Sequence, residues 1–314
     1  MVEILVDGVE QSKREVALKE LESTLEHASQ LQLPIDKIIV AKDFRGTVRS
    51  YTGLLDYEPT HEYGLAVAKA LPVGKNSDLR FIVVLNGEVF GSWSPEMRLD
   101  RMKSLWHEFI HIRDMTRQAQ AIGMDAFFSE PKNKRDALLQ GSWNIWMEYN
   151  AERFLAESLV ATIAEIGVEY DLLTDTAEYA RRLGELLDDL RDYLNANIRD
   201  LRAGEVVFDK AVRRVTSRLT SVLILMAYVH SKIDLDARIK SSVLELRQKQ
   251  NFLLFLSEDF DSIMRLLEEL YVRGGEYCEE LLERMAGHLD SIYKRWGMQI
   301  QDVEEGLHIY LHPV

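Results

Sequence analysis

The sequence predicts a mostly helical chain in two parts, an α+β domain over residues 1–168 followed by an all-α helical bundle over residues 169–314. Three observations lead there. Pro34, Pro59, Pro72, Pro95 and Pro131 all fall in the first part, and the next proline is Pro313. A proline-free stretch of that length with apolar residues every three or four positions reads as consecutive helices. Most of the short aliphatic runs bounded by turn signals lie in the first ninety or so positions, where strands are expected. The chain is also long enough for two cores, with 314 residues, 46% of them hydrophobic and 29% charged.

Taken in order, Val2 to Val6 reads as a strand ended by Asp7-Gly8. Ser12 and Glu15 have capping-box spacing, and Leu18, Leu21, Leu25 and Ala28 follow at helical intervals to about Gln30, where Pro34 stops the helix. Ile38 to Val40, Leu65 to Ala68 and Leu79 to Leu85 are strand candidates, and Asn86-Gly87 predicts a hairpin into Val89-Phe90. Val89 to Ser92 is then a candidate edge strand for pairing with an extended peptide, set against an ordinary hairpin arm. Ser94-Pro95 reads as an N-cap and first helical residue, opening a helix over 95–117, and the next helix is expected over 136–167.

Beyond that, Leu183, Leu186, Leu190, Leu194, Ile198 and Leu201 form one helical stripe, and Cys278, Leu281, Met285, Leu289, Ile292 and Trp296 another. Further helices are expected over 207–232, 237–256 and 259–273. Such stripes are bundle core and carry no chemistry. Leu307 to His312 alternates strictly and predicts a short terminal strand, with His308, Tyr310 and His312 on one face.

Charge and composition narrow the function. Lys plus Arg total 38 against 52 Asp plus Glu, a net charge of −14, which argues against a broad phosphate-backbone footprint. The longest apolar segment, Leu219 to Val229, is well short of the ~20 residues a membrane helix needs. The lone Cys278 reads as a small core residue. No basic n-region opens the chain, and the expectation is a cytoplasmic protein with no nucleic-acid or membrane partner.

The chemistry concentrates on the 95–117 helix, where Leu105 to Ile112 contains His107-Glu108-Phe109-Ile110-His111. Residues four apart lie one turn apart on a helix face, so His107 and His111 can offer imidazole nitrogens to one metal ion. Glu108 lies about 100° further round the axis, where it reaches a water rather than the metal. Met102, Leu105, Phe109 and Ile112 form the opposing apolar face. Zinc in a hydrolytic site needs a third protein ligand. The His-Glu-x-x-His-x-x-Gly-x-x-His solution fails, because Asp114 and Arg117 stand at the Gly and His positions. A downstream glutamate is the other common solution, and the helix around Met147 to Glu157 is rich in them.

In these two helices the sequence resembles the gluzincin metallopeptidases, whose second helix carries Glu-x-x-x-Asp/Glu. Glu148, Ala151, Glu152, Phe154, Ala156 and Glu157 are similar to a run found in ImmA/IrrE-type intracellular peptidases. The resemblance covers residues 1–165 at most and is sharp only in these two helical segments. It implies a zincin-like first domain of small sheet, backing helix, active-site helix and glutamate helix. It also implies Zn2+ as cofactor, Glu148 as third ligand and Glu152 as the carboxylate that orients a ligating histidine. Asp114 and Glu130 remain alternative ligands.

The expected function is zinc-dependent hydrolysis of a peptide bond in an intracellular protein or peptide, with Glu108 as general base. The oxyanion-stabilising group is open, and His308, Tyr310 and His312 are candidates for it against a plain surface strand. Trp93, Trp106, Trp143 and Trp146 are expected to pack the two motif helices. For the helical half, substrate recognition, gating and homo-oligomerisation are all open. The alternative is a non-enzymatic helical interaction or regulatory protein whose metal site is vestigial or structural; a toxin or defence component using the same chemistry is a third reading.

Overall fold

The structure, a computed structural model, describes residues 2–54, 57, 60–61, 64–74, 78–166, 172–304 and 306–314. Most of these are helical, with one small mixed sheet and two two-stranded ladders. By its own contacts the chain divides into two compact units, Met1–Ser129 and Glu130–Val314. The boundary expected at 168–169 lies outside the described residues.

The first unit opens with β1 (Glu3–Leu5), α1 (Arg14–Ala28), β2 (Ile35–Ala41) and α2 (Phe44–Thr52). A short ladder of β3 (Thr60–His61) and β4 (Gly64–Leu65) follows, then β5 (Ala68–Val73), β6 (Arg80–Asn86), α3 (Gly87–Phe90), α4 (Arg98–Ile122) and α5 (Met124–Phe127). The main sheet has the order β1-β2-β6-β5, with β1, β2 and β6 parallel and β5 antiparallel on β6. Strand alternation decides what each face buries. Ile38, Val40, Phe81, Val83 and Leu85 pack with Leu21 of α1 and with Leu105, Phe109 and Ile112 of α4. Ile39, Ala41, Ile82 and Val84 pack with Phe44 and Val48 of α2. Burial on both faces is why β2 and β6 read as continuous apolar runs.

Two turns of this unit differ from the sequence expectation. Asn86-Gly87 does not turn a hairpin, because β6 already has β2 on one side and β5 on the other. Instead the Asn86 side chain accepts the Glu88 N–H at 3.0 Å and caps the helical turn α3, so Val89 to Ser92 is not an edge strand. Gly87 serves close packing, since a Cβ there would lie 2.4 Å from the Ala41 carbonyl oxygen. The Ser12 capping box is also absent. Gln11–Lys13 forms a 3-10 turn, closed by Lys13 N–H to Glu10 O at 2.9 Å, and α1 starts after it without a side-chain cap.

In the second unit, α6 (Lys134–Ile166) is followed by α7 (Leu172–Asp188), α8 (Leu190–Arg202), α9 (Phe208–His230), α10 (Ala237–Arg247), α11 (Gln250–Phe255), α12 (Ser257–Val272) and α13 (Glu279–Arg295). Helix α6 packs against α9 and α13, and α7 against α9 and α10. From Leu219 to Val229 α9 is almost wholly buried, the pattern of a central bundle helix. No helix among the described residues is long and apolar enough to cross a membrane. The leucine stripe from 183 to 201 is two helices, broken at Asp189, and the expected 237–256 helix likewise divides into α10 and α11. The chain ends in a hairpin of β7 (Met298–Val303) and β8 (Gly306–Leu311). Cys278 is not inside its stripe but immediately before α13, half-buried, with an Arg273 guanidinium nitrogen 3.6 Å from its sulfur.

Candidate functional site

Helix α4 is placed by its apolar face and by a polar lock at its start. Leu105, Phe109 and Ile112 are buried in the sheet-facing core, as the stripe predicts. Near the N-terminus of α4, Arg101 is 1% exposed. Its Nε and one terminal nitrogen each donate to a Glu20 carboxylate oxygen at 3.0 Å, and the other donates to Ser94 O at 2.8 Å. The Trp93 indole N–H also donates to Glu20 at 3.0 Å, and the Arg101 guanidinium lies 4.3 Å over the Trp93 ring. Trp93 therefore joins α1 to α4. Trp143 lies tilted against Tyr277 with ring centroids 5.1 Å apart, and Trp106 lies edge-on to Phe109 at 5.9 Å within its own helix.

With α4 locked, the motif residues take up the geometry that their spacing predicts. The His107 and His111 rings lie side by side, centroids 4.4 Å apart and planes at 88°, both half-buried. Glu108 points elsewhere. It is 9% exposed, and its Oε2 accepts the backbone N–H of Ala70 in β5 at 2.6 Å. That bond ties the carboxylate to the outer strand of the sheet and fixes its rotamer. Near it stands Tyr57, whose hydroxyl is pushed up to about 12 by burial and then by the negative charge of Glu108. Asp114 is fully buried with Arg113 Nε 3.2 Å from Oδ1, and Glu130 is exposed.

In the second unit, Glu148 and Glu152 lie one turn apart on α6, and each meets a partner from the end of α9 or just beyond it. The Tyr228 hydroxyl donates to Glu148 Oε2 at 2.5 Å. Glu152, 9% exposed, forms an ion pair with the ammonium of Lys232, which is 4% exposed. The Lys232 Nζ also lies 5.1 Å from the Tyr179 ring centroid and 5.9 Å from that of Tyr228. Two carboxylates one turn apart repel, and Lys232 supplies the opposite charge beside the second. Glu157, a further turn on, accepts from Arg153 Nε at 2.7 Å and from the Tyr271 hydroxyl at 2.6 Å. His308, Tyr310 and His312 are all exposed, the arrangement of an outward-facing hairpin strand.

Ala70, Tyr57, Tyr228 and Lys232 were not singled out by the sequence, since each is joined to the motif only through the fold. No family model matches the chain, and neither a curated protein nor a solved structure matches it.

Proposed function

We propose that this chain is a zinc-dependent metallopeptidase that hydrolyses a peptide bond in a protein or peptide. In this reading His107, His111 and Glu148 are the zinc ligands and Glu108 is the general base. One observation carries it: His107 and His111, one turn apart on α4, lie with ring centroids 4.4 Å apart, so both imidazoles can offer a nitrogen to one metal ion, and the resemblance supplies Glu148 as the third ligand. The donor set suits the metal, because two imidazoles and a carboxylate are ligands that zinc takes in hydrolytic sites with a position left open. Zinc in such a site supplies Lewis acidity, acidifying water to about pKa 7 and polarising a carbonyl.

The chain's own residues do the rest. The Ala70 N–H engages Oε2 of Glu108, so the other oxygen takes the proton from water and carries it to the leaving nitrogen. One water is consumed, a C–O bond forms, the C–N bond breaks, and the amine leaves with the proton that Glu108 carried.

The test is zinc per chain by elemental analysis on wild type, His107→Ala and Glu148→Ala side by side. About one zinc in wild type, lost or sharply reduced in both variants, supports the reading. No zinc in wild type after reconstitution overturns it and leaves a helical interaction protein.

A further inference from the structure

Glu148 and Glu152 on α6 are four residues apart, and so are Tyr228 and Lys232 at the end of α9 and in the turn beyond it. The two pairs meet in register: the Tyr228 hydroxyl on Glu148 and the Lys232 ammonium on Glu152. The turn carrying Lys232 is itself pinned to α6, because Arg153 donates to the Ser231 carbonyl at 3.0 Å. The Ser231 hydroxyl donates back to Tyr228 O at 2.8 Å, so the tyrosine is braced along its own backbone. Tyr228 is 8% exposed and its ring packs on Tyr179 at 4.9 Å, which leaves the phenol little freedom to swing. A buried ammonium is costly unless paired, and Lys232 has both a carboxylate and two aromatic faces beside it.

The two contacts do different things. Lys232 neutralises Glu152, relieving the repulsion that it would exert on Glu148 one turn away. Tyr228 engages one oxygen of Glu148 and so restricts rotation of that carboxylate about its stem. We infer that Tyr228 is a positioning residue for the metal site, held by the Tyr179–Lys232 cluster, and that through it the helical bundle sets how tightly Glu148 binds zinc. This rests on the proposed reading of Glu148 as a ligand. Groups that orient a ligand in this way contribute about 10–100-fold to metal affinity.

The experiment is a zinc titration of the full-length protein against a chromophoric chelator, on wild type, Tyr228→Phe, Glu148→Ala and the double variant. Thermal unfolding of each metal-free protein is measured alongside. The expected result is a loss of about 10–100-fold in zinc affinity for Tyr228→Phe, with metal-free unfolding close to that of wild type. In the Glu148→Ala background the same change has no further effect, because the carboxylate that it orients is gone. Full affinity in Tyr228→Phe while wild type binds zinc overturns the positioning role and leaves the metal reading standing. An equal loss in both backgrounds also overturns it, since the hydroxyl then acts on the fold and not through Glu148. Absence of zinc from wild type is the separate failure, that of the metal reading itself.

Discussion

In the proposed reading, a single atom change at Glu108 separates the chemistry from the architecture. Glutamine keeps the size of the side chain and a carbonyl oxygen able to accept the Ala70 N–H now bonded at 2.6 Å, but it cannot take a proton from water. Glu108→Gln is therefore expected to keep wild-type zinc content and unfolding behaviour while peptide hydrolysis falls about 10²–10⁴-fold, the range assigned to a general base. Parallel zinc analysis and peptidase assay check this, and unchanged hydrolysis would remove Glu108 from the mechanism. That His107 and His111 share one helix face was legible in the sequence, because a helix converts spacing into direction. What holds the glutamates was not. Ala70 is one small residue in a strand, and nothing in its identity marks an N–H that points at a carboxylate. Tyr228 sits inside an apolar run and reads as core, which it also is.

At the scale of elements, the sequence is most readable where one local pattern decides the outcome and least readable where neighbours do. Helix α4 follows from its apolar stripe, although it runs to Ile122, beyond the expected end. The Asn86-Gly87 turn was misread because the occupancy of both sides of β6 is a tertiary fact. The stripe through Asp189 was misread for the opposite reason: leucine spacing continues across the break between α7 and α8. Strand β7 escaped notice because Met298 to Val303 is short and follows a long helix directly. The polar lock between α1 and α4 yields a prediction of its own. Arg101→Ala leaves Glu20 mostly buried without its guanidinium and should cost about 3–5 kcal/mol. Replacing both, as Arg101→Met with Glu20→Gln, should cost clearly less, because no charge is then stranded. Denaturant unfolding of the single and double variants measures the difference, and equal losses would show that the lock acts by packing alone.

For the whole molecule, the proposed site makes stability a function of free zinc. A ligand that binds only the folded chain stabilises it by about 2.7 kcal/mol at a hundred times its dissociation constant. The unfolding temperature should therefore rise with added zinc and fall after chelation, and His107→Ala should be insensitive to both. Calorimetric scans in zinc and in chelator test this, and identical scans for wild type under the two conditions would speak against a folded-state metal site. The main sheet has a further consequence at this scale. An open sheet exposes two edges, and each unpaired N–H along them can recruit another chain. One edge is β1, only three residues long. The other is β5, which carries Pro72, a residue with no N–H to offer, and Ala70, whose N–H is taken by Glu108. The carboxylate proposed to move a proton thus also closes a donor on the rim of the sheet, guarding the folded chain against edge-to-edge association.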